Sequence, residues 1–110
     1  MTRLARVSAL IKVELSRIIR ERINDTRIGF ISIVDIELSK DLAYAKVFYS
    51  QIGTEKEKQE TLKGLLAAKR FLKGELGKVL HLKTIPNLRF FLDDSIERGS
   101  NMLEKMKKLD

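Results

Sequence analysis

Phe30-Ile31-Ser32-Ile33-Val34-Asp35-Ile36-Glu37-Leu38-Ser39-Lys40-Asp41-Leu42-Ala43-Tyr44-Ala45-Lys46-Val47-Phe48-Tyr49-Ser50 is the stretch on which the fold turns. Val34, Ile36 and Leu38 alternate with Asp35, Glu37 and Ser39, the period of a strand with one buried face. Ile31 and Ile33 sit on the opposite parity, so the strand over 30–39 is expected to be covered on both faces at its start, or bulged. Tyr44, Val47, Phe48 and Tyr49 favour a second strand over 43–50. A link as short as Lys40-Asp41-Leu42 requires the two strands to run antiparallel.

Outward from this hairpin the period changes. On the N-terminal side, Leu4, Val7, Leu10, Ile11, Leu15, Ile18 and Ile19 fall on one face of a helix over 4–23. Asn24-Asp25-Thr26 ends it, because their short side chains compete for backbone hydrogen bonds. On the C-terminal side, Thr54-Glu55-Lys56-Glu57 is a capping box. The apolar-periodic stretch behind it runs from Leu62 to about Lys83 and is expected to break near its middle into two helices. Pro86 stops it. Leu88, Phe90 and Leu92 mark a third strand, and Asp94 with Glu97 the start of a last helix. The predicted order is helix-strand-strand-helix-helix-strand-helix. It predicts an α+β fold in which helices cover a three-stranded sheet.

The chain has 110 residues, 22 Lys and Arg, 15 Asp and Glu, one His and no Cys, which gives one domain over 1–110 and a net charge of +7. Disulfides and thiolate chemistry are excluded, and the single His81 excludes a multi-histidine metal site. No apolar run reaches the roughly 20 residues of a membrane span. The start has no apolar core ending in a small-residue cleavage site. A soluble, cytoplasmic protein is expected, with a polyanion as partner. The excess charge sits in two blocks, residues 1–29 and 53–87, each at +4.

Within those blocks Arg3, Arg6, Arg17 and Arg20 gather on one flank of the first helix, within an arc of roughly 100°. Lys69, Arg70, Lys73, Lys78, His81 and Lys83 follow one another with only Glu75 against them. Guanidinium forks and mobile ammonium groups suit phosphate, so both sets are candidate RNA contacts; the competing reading is a solvated face. Gly74-Glu75-Leu76-Gly77 has the spacing of a KH phosphate loop, but Glu75 would repel phosphate and Leu76 belongs to the apolar stripe. Small residues inside a helix explain it more simply. Asp93-Asp94 could hold magnesium in a nuclease, but no third ligand or base is evident. The aromatic residues are expected mostly in the core. Met102, Leu103, Met106 and Leu109 have the spacing of a helix docked on the body.

Three blocks carry a resemblance. They are Arg3–Arg22 with Asp25-Thr26-Arg27-Ile28-Gly29, then Ser39–Phe48, and then Ile85-Pro86-Asn87-Leu88-Arg89-Phe90-Phe91-Leu92-Asp93-Asp94-Ser95 with Gly99. Over about residues 3–106 the chain resembles the ribosome-binding factor A family of bacterial small-subunit assembly factors. The resemblance implies a type II KH-like fold, and binding to immature 30S particles and 16S ribosomal RNA near the decoding region. It also implies a part in late maturation and 5′-end processing, with importance for growth in the cold. In that family an Ala-x-Gly kink divides the central helices. Here it aligns with Ala68-Lys69-Arg70, so Arg70 stands where the glycine is expected, and a positive φ is disfavoured there.

The expectation is a monomeric, non-enzymatic assembly factor with no cofactor, no metal, no membrane and no small-molecule substrate. Its rivals are a generic basic RNA or DNA module without ribosome specificity and a small metal-dependent nuclease.

Overall fold

The computed structural model describes residues 2–93. Its elements are α1 (Arg3–Arg22), β1 (Ile31–Leu38), β2 (Tyr44–Gln51), α2 (Glu55–Val79) and β3 (Asn87–Leu92). The last helix expected from Asp94, and the apolar set Met102 to Leu109, lie outside the described residues.

β1 and β2 form the antiparallel hairpin. The register shifts between Ile33 and Asp35, which makes Val34 the extra residue of a bulge and accounts for the change of parity. Asp41 closes the connection: its carboxylate accepts from the Ser39 hydroxyl at 2.7 Å and the Ala43 amide at 3.0 Å. Leu42 has a φ of 60°, an uncommon conformation for a side chain of this size. β3 pairs with β2 in parallel, giving the order β1-β2-β3. A parallel pair needs a long crossover, and α2 supplies it.

Both helices pack on one side of the sheet. Ile11, Leu15 and Ile18 of α1 and Leu72 and Leu76 of α2 meet Ile36, Ala45, Val47 and Leu88 in one core. Along β2 the inward positions Ala45, Val47, Tyr49 and Gln51 are buried, whereas Tyr44 and Lys46 on the other side are exposed and Phe48 half-buried. Among the described residues, no helix covers that second side.

α2 begins with the expected capping box. The Glu57 amide donates to the Thr54 hydroxyl at 3.1 Å, and the Thr54 amide to the Glu57 carboxylate at 3.0 Å. Its middle corrects the sequence expectation. Instead of two helices there is one, 25 residues long, running through Ala68-Lys69-Arg70 without interruption. No residue of α2 has a positive φ. Arg70 lies within the continuous helix with a negative φ, as a non-glycine residue there favours.

The helix also ends earlier than expected, at Val79. Continued at about 100° per residue, it would turn Ile85 to the side opposite Leu76. By leaving the helix at Leu80, the chain packs Leu80, Leu82 and Ile85 against the core instead.

The loop from α1 to β1 is tied at both ends. The Asp25 carboxylate accepts from the Arg27 amide at 2.9 Å and from its guanidinium at 2.7–3.2 Å. The Gly29 amide donates to the buried Thr61 hydroxyl of α2 at 3.0 Å, and Thr61 donates to the Arg27 carbonyl at 3.4 Å. Beside Thr61, Gly64 faces Ile28 so closely that a Cβ would stand 2.6 Å from the Ile28 Cγ1.

The Arg27 side chain, with help from its amide, holds the Asp25 pKa down at about 2 from an ordinary 3.8. A depressed folded-state pKa contributes stability above the unfolded value and loses it as pH falls through the folded one. The thermal midpoint of the wild type is therefore expected to fall more steeply than that of Asp25→Asn between pH 4 and pH 2. Parallel falls would show that Asp25 contributes nothing to the loss.

Candidate nucleic-acid interface

The nine candidate cations and His81 do not form one patch. Arg3, Arg6 and Arg20 are exposed on α1, while Arg17 is engaged. Its guanidinium donates to Glu14 at 3.1 Å and to Glu21 at 3.4 Å, so a phosphate must displace two carboxylates to reach it. Arg20 comes within 3.9 Å of Glu21 at a weaker, exposed contact. Leu10 and Val13 are exposed between these arginines, at 48% and 64%, so the apolar face is narrower than periodicity implies.

On α2 the candidates divide. At about 100° per residue, Lys69, Arg70 and Lys73 share an arc of roughly 100°. The flank of α2 that meets the end of α1 is a different one: Ala67, Ala68 and Phe71 line a cleft there with Arg22 and Ile23. Lys73 donates to the Asn87 side chain at 2.8 Å. Lys69 and Arg70 have no acidic partner among the described residues, Lys69 half-exposed and Arg70 exposed.

Lys78 points elsewhere. It holds Glu75 at 3.1 Å, and Arg22 from α1 reaches the same carboxylate at 3.8 Å. Glu75 is thus almost buried and balanced by two cations. It joins the ends of the two helices and does not stand in a phosphate loop. Gly74 and Gly77 lie inside α2 with negative φ, so the G-x-x-G spacing makes no loop. His81 and Lys83 are exposed in the segment between α2 and β3.

Lys69 and Arg70 are therefore the cations best placed to take phosphate without first breaking an internal contact. The arginines Arg3 and Arg6 are the second such pair.

The aromatic residues depart from the sequence expectation that most are core. Tyr49 and Phe90 are, meeting edge to face at 6.4 Å between centroids. Tyr44, Phe48 and Phe91 instead lie on the side of the sheet away from α1 and α2. Phe48 and Phe91 stack at 5.6 Å. The Arg89 guanidinium lies 4.0 Å above the Tyr44 ring. Strand parity carried the signal: Tyr44, Lys46 and Phe48 alternate with the inward Ala45, Val47 and Tyr49.

A two-layer domain of this kind, with α2 as the crossover into a parallel third strand, is a type II KH-like fold. Comparison with known proteins agrees. The family model described as ribosome-binding factor A matches residues 3–106. Ribosome-binding factor A of Dictyoglomus thermophilum is 46% identical over 105 residues, covering 94% of this chain and 88% of that one. That of Staphylococcus carnosus is 46% identical over 104 residues, covering 94% and 90%. The crystal structure of ribosome-binding factor A from Thermus thermophilus superposes with a TM-score of 0.73 at 25% identity, covering 81% and 93%. The chain belongs to the ribosome-binding factor A family.

Proposed function

We propose that this protein binds immature 30S subunits through 16S ribosomal RNA and assists late maturation, including processing of the 5′ end, without catalysing a reaction. The observation that carries this reading is the Lys69–Arg70 pair, half-exposed and exposed and without an acidic partner among the described residues, on a chain of this family. Phosphates would exchange their counterions for these groups and for Arg3 and Arg6, so affinity depends steeply on salt. A protein that holds one arrangement of the RNA more tightly than another shifts the folding equilibrium by its difference in affinity. No bond need be made or broken. A role that helps RNA past slow rearrangements matters most in the cold.

Two measurements test it. In sedimented cell extract the protein is expected to travel with free 30S particles and to be absent from translating ribosomes. Immature 30S particles are expected to bind about tenfold tighter than mature ones at one salt concentration, a difference of roughly 1.4 kcal/mol. Equal affinity for both would remove the mechanism. Equal competition by transfer RNA and duplex DNA would make the protein a generic polyanion binder.

A further inference from the structure

We propose that the face of the sheet away from α1 and α2 is a stacking platform for unpaired RNA bases, a second contact separate from the phosphate-binding cations of those helices. This rests on the reading that the partner is RNA. The platform is the strip where β2 and β3 adjoin. Tyr44, Lys46 and Phe48 project from β2 and Arg89 and Phe91 from β3, all on the side away from the helices.

The register makes them one strip: Tyr44 pairs with Asn87, Lys46 with Arg89 and Phe48 with Phe91. Phe48 and Phe91 stack with rings inclined by 28°, so each has one face on the other and Phe91, the more exposed, offers its outer face to a base. At the other end the Arg89 guanidinium lies over Tyr44 and offers its own free face to a base. Lys46 and Arg89 between them can meet the phosphates of a strand whose bases lie on the rings.

An aliphatic partner surface would gain little here, because two cations interrupt the strip. A duplex would present phosphates and no free base faces. The neighbouring strand sets the path. Asp35 stands opposite Phe48 and Glu37 opposite Lys46, so β1 repels phosphate and the RNA backbone runs along the β3 side.

The test uses the full chain and an unstructured ten-nucleotide RNA. Tyr44→Leu/Phe91→Leu keeps apolar bulk on both strands and removes the ring faces. It is expected to weaken decamer binding at least tenfold while leaving the slope of log affinity against log salt unchanged, since no cation is lost. Lys69→Glu/Arg70→Glu is expected to change that slope. Hydroxyl-radical footprinting of the wild type keeps the proposal testable should the double variant fail to fold. Oxidation of Tyr44 and Phe91 should be high in the free protein and fall when the decamer is added.

Unchanged decamer affinity in the folded double variant would overturn the platform. So would rings already protected in the free protein, covered by residues 94–110 or by a second copy. So would rings protected by 30S particles but not by the decamer, which points to a ribosomal protein. In wild type, 30S binding without decamer binding would end the platform and leave the ribosome reading intact. Decamer binding with no preference for 30S particles would do the reverse.

Discussion

Lys69→Glu/Arg70→Glu is expected to lower 30S affinity roughly 30-fold near physiological salt, about 2 kcal/mol. Each cation that meets a phosphate releases counterions worth about 1 kcal/mol at that ionic strength, and its loss lowers the salt slope by about one. Two such contacts give the figure, before any repulsion by the new carboxylates. The comparison is Lys40→Glu/Lys56→Glu, which reverses two exposed lysines outside the candidate set and lowers the net charge of +7 by the same four units. Its loss is expected to stay within about threefold, because exposed charges farther than a Debye length from the RNA are screened. Equal losses would mean that 30S particles respond to total charge, and would remove Lys69 and Arg70 as a site.

Lys58 shows where sequence and structure part. It looks like its neighbour Lys56 in the sequence, but it is only 8% exposed and partnered. Its reversal would test the fold and not the surface. Charge arithmetic counts such a residue with the solvated ones, because nothing local reports on what folds over it.

What was legible came from local rules. The hairpin followed from alternation and the start of α2 from the capping box, while the parity change at Ile33 and Val34 allowed a bulge or a strand covered on both faces, and the bulge is what forms. Each depends on residues within a few positions of one another. The readings that needed distant partners were less complete. The end of α2 is set by Leu82 and Ile85 finding the core, which periodicity alone does not express. Arg70 did predict trouble for the family kink, since the backbone preference of one residue is itself local, and α2 is indeed continuous there. For the candidate site, the positions of the cations along the helices were legible, but their partners were not. Glu14, Glu21 and Glu75 engage Arg17 and Lys78, and among the described residues no carboxylate engages Lys69 or Arg70.

Gly64→Leu is expected to destabilise the fold by about 3 kcal/mol, because the seam between α2 and the 25–29 loop has no room for a side chain. Its Cβ alone would stand 2.6 Å from Ile28 Cγ1 and 3.3 Å from Cδ1. Ile28 cannot retreat freely, since the next residue is held by the Gly29–Thr61 hydrogen bond at 3.0 Å and Thr61 also holds the Arg27 carbonyl. Overpacking costs about 1–3 kcal/mol, and each hydrogen bond broken as the loop lifts adds about 1 kcal/mol. In a domain of this size that lowers the thermal midpoint by roughly 12–24 °C. Gly64→Ala separates sterics from helix preference: alanine gains about 1 kcal/mol in a helix, which largely offsets the milder clash. Thr61→Val leaves the Gly29 amide without its partner and is expected to cost about 1–3 kcal/mol alone. Combined with Gly64→Leu it should cost less than the sum, because the leucine has already pulled that bond apart. Strict additivity, or a Gly64→Leu midpoint within a few degrees of wild type, would show that the loop is not anchored through this seam.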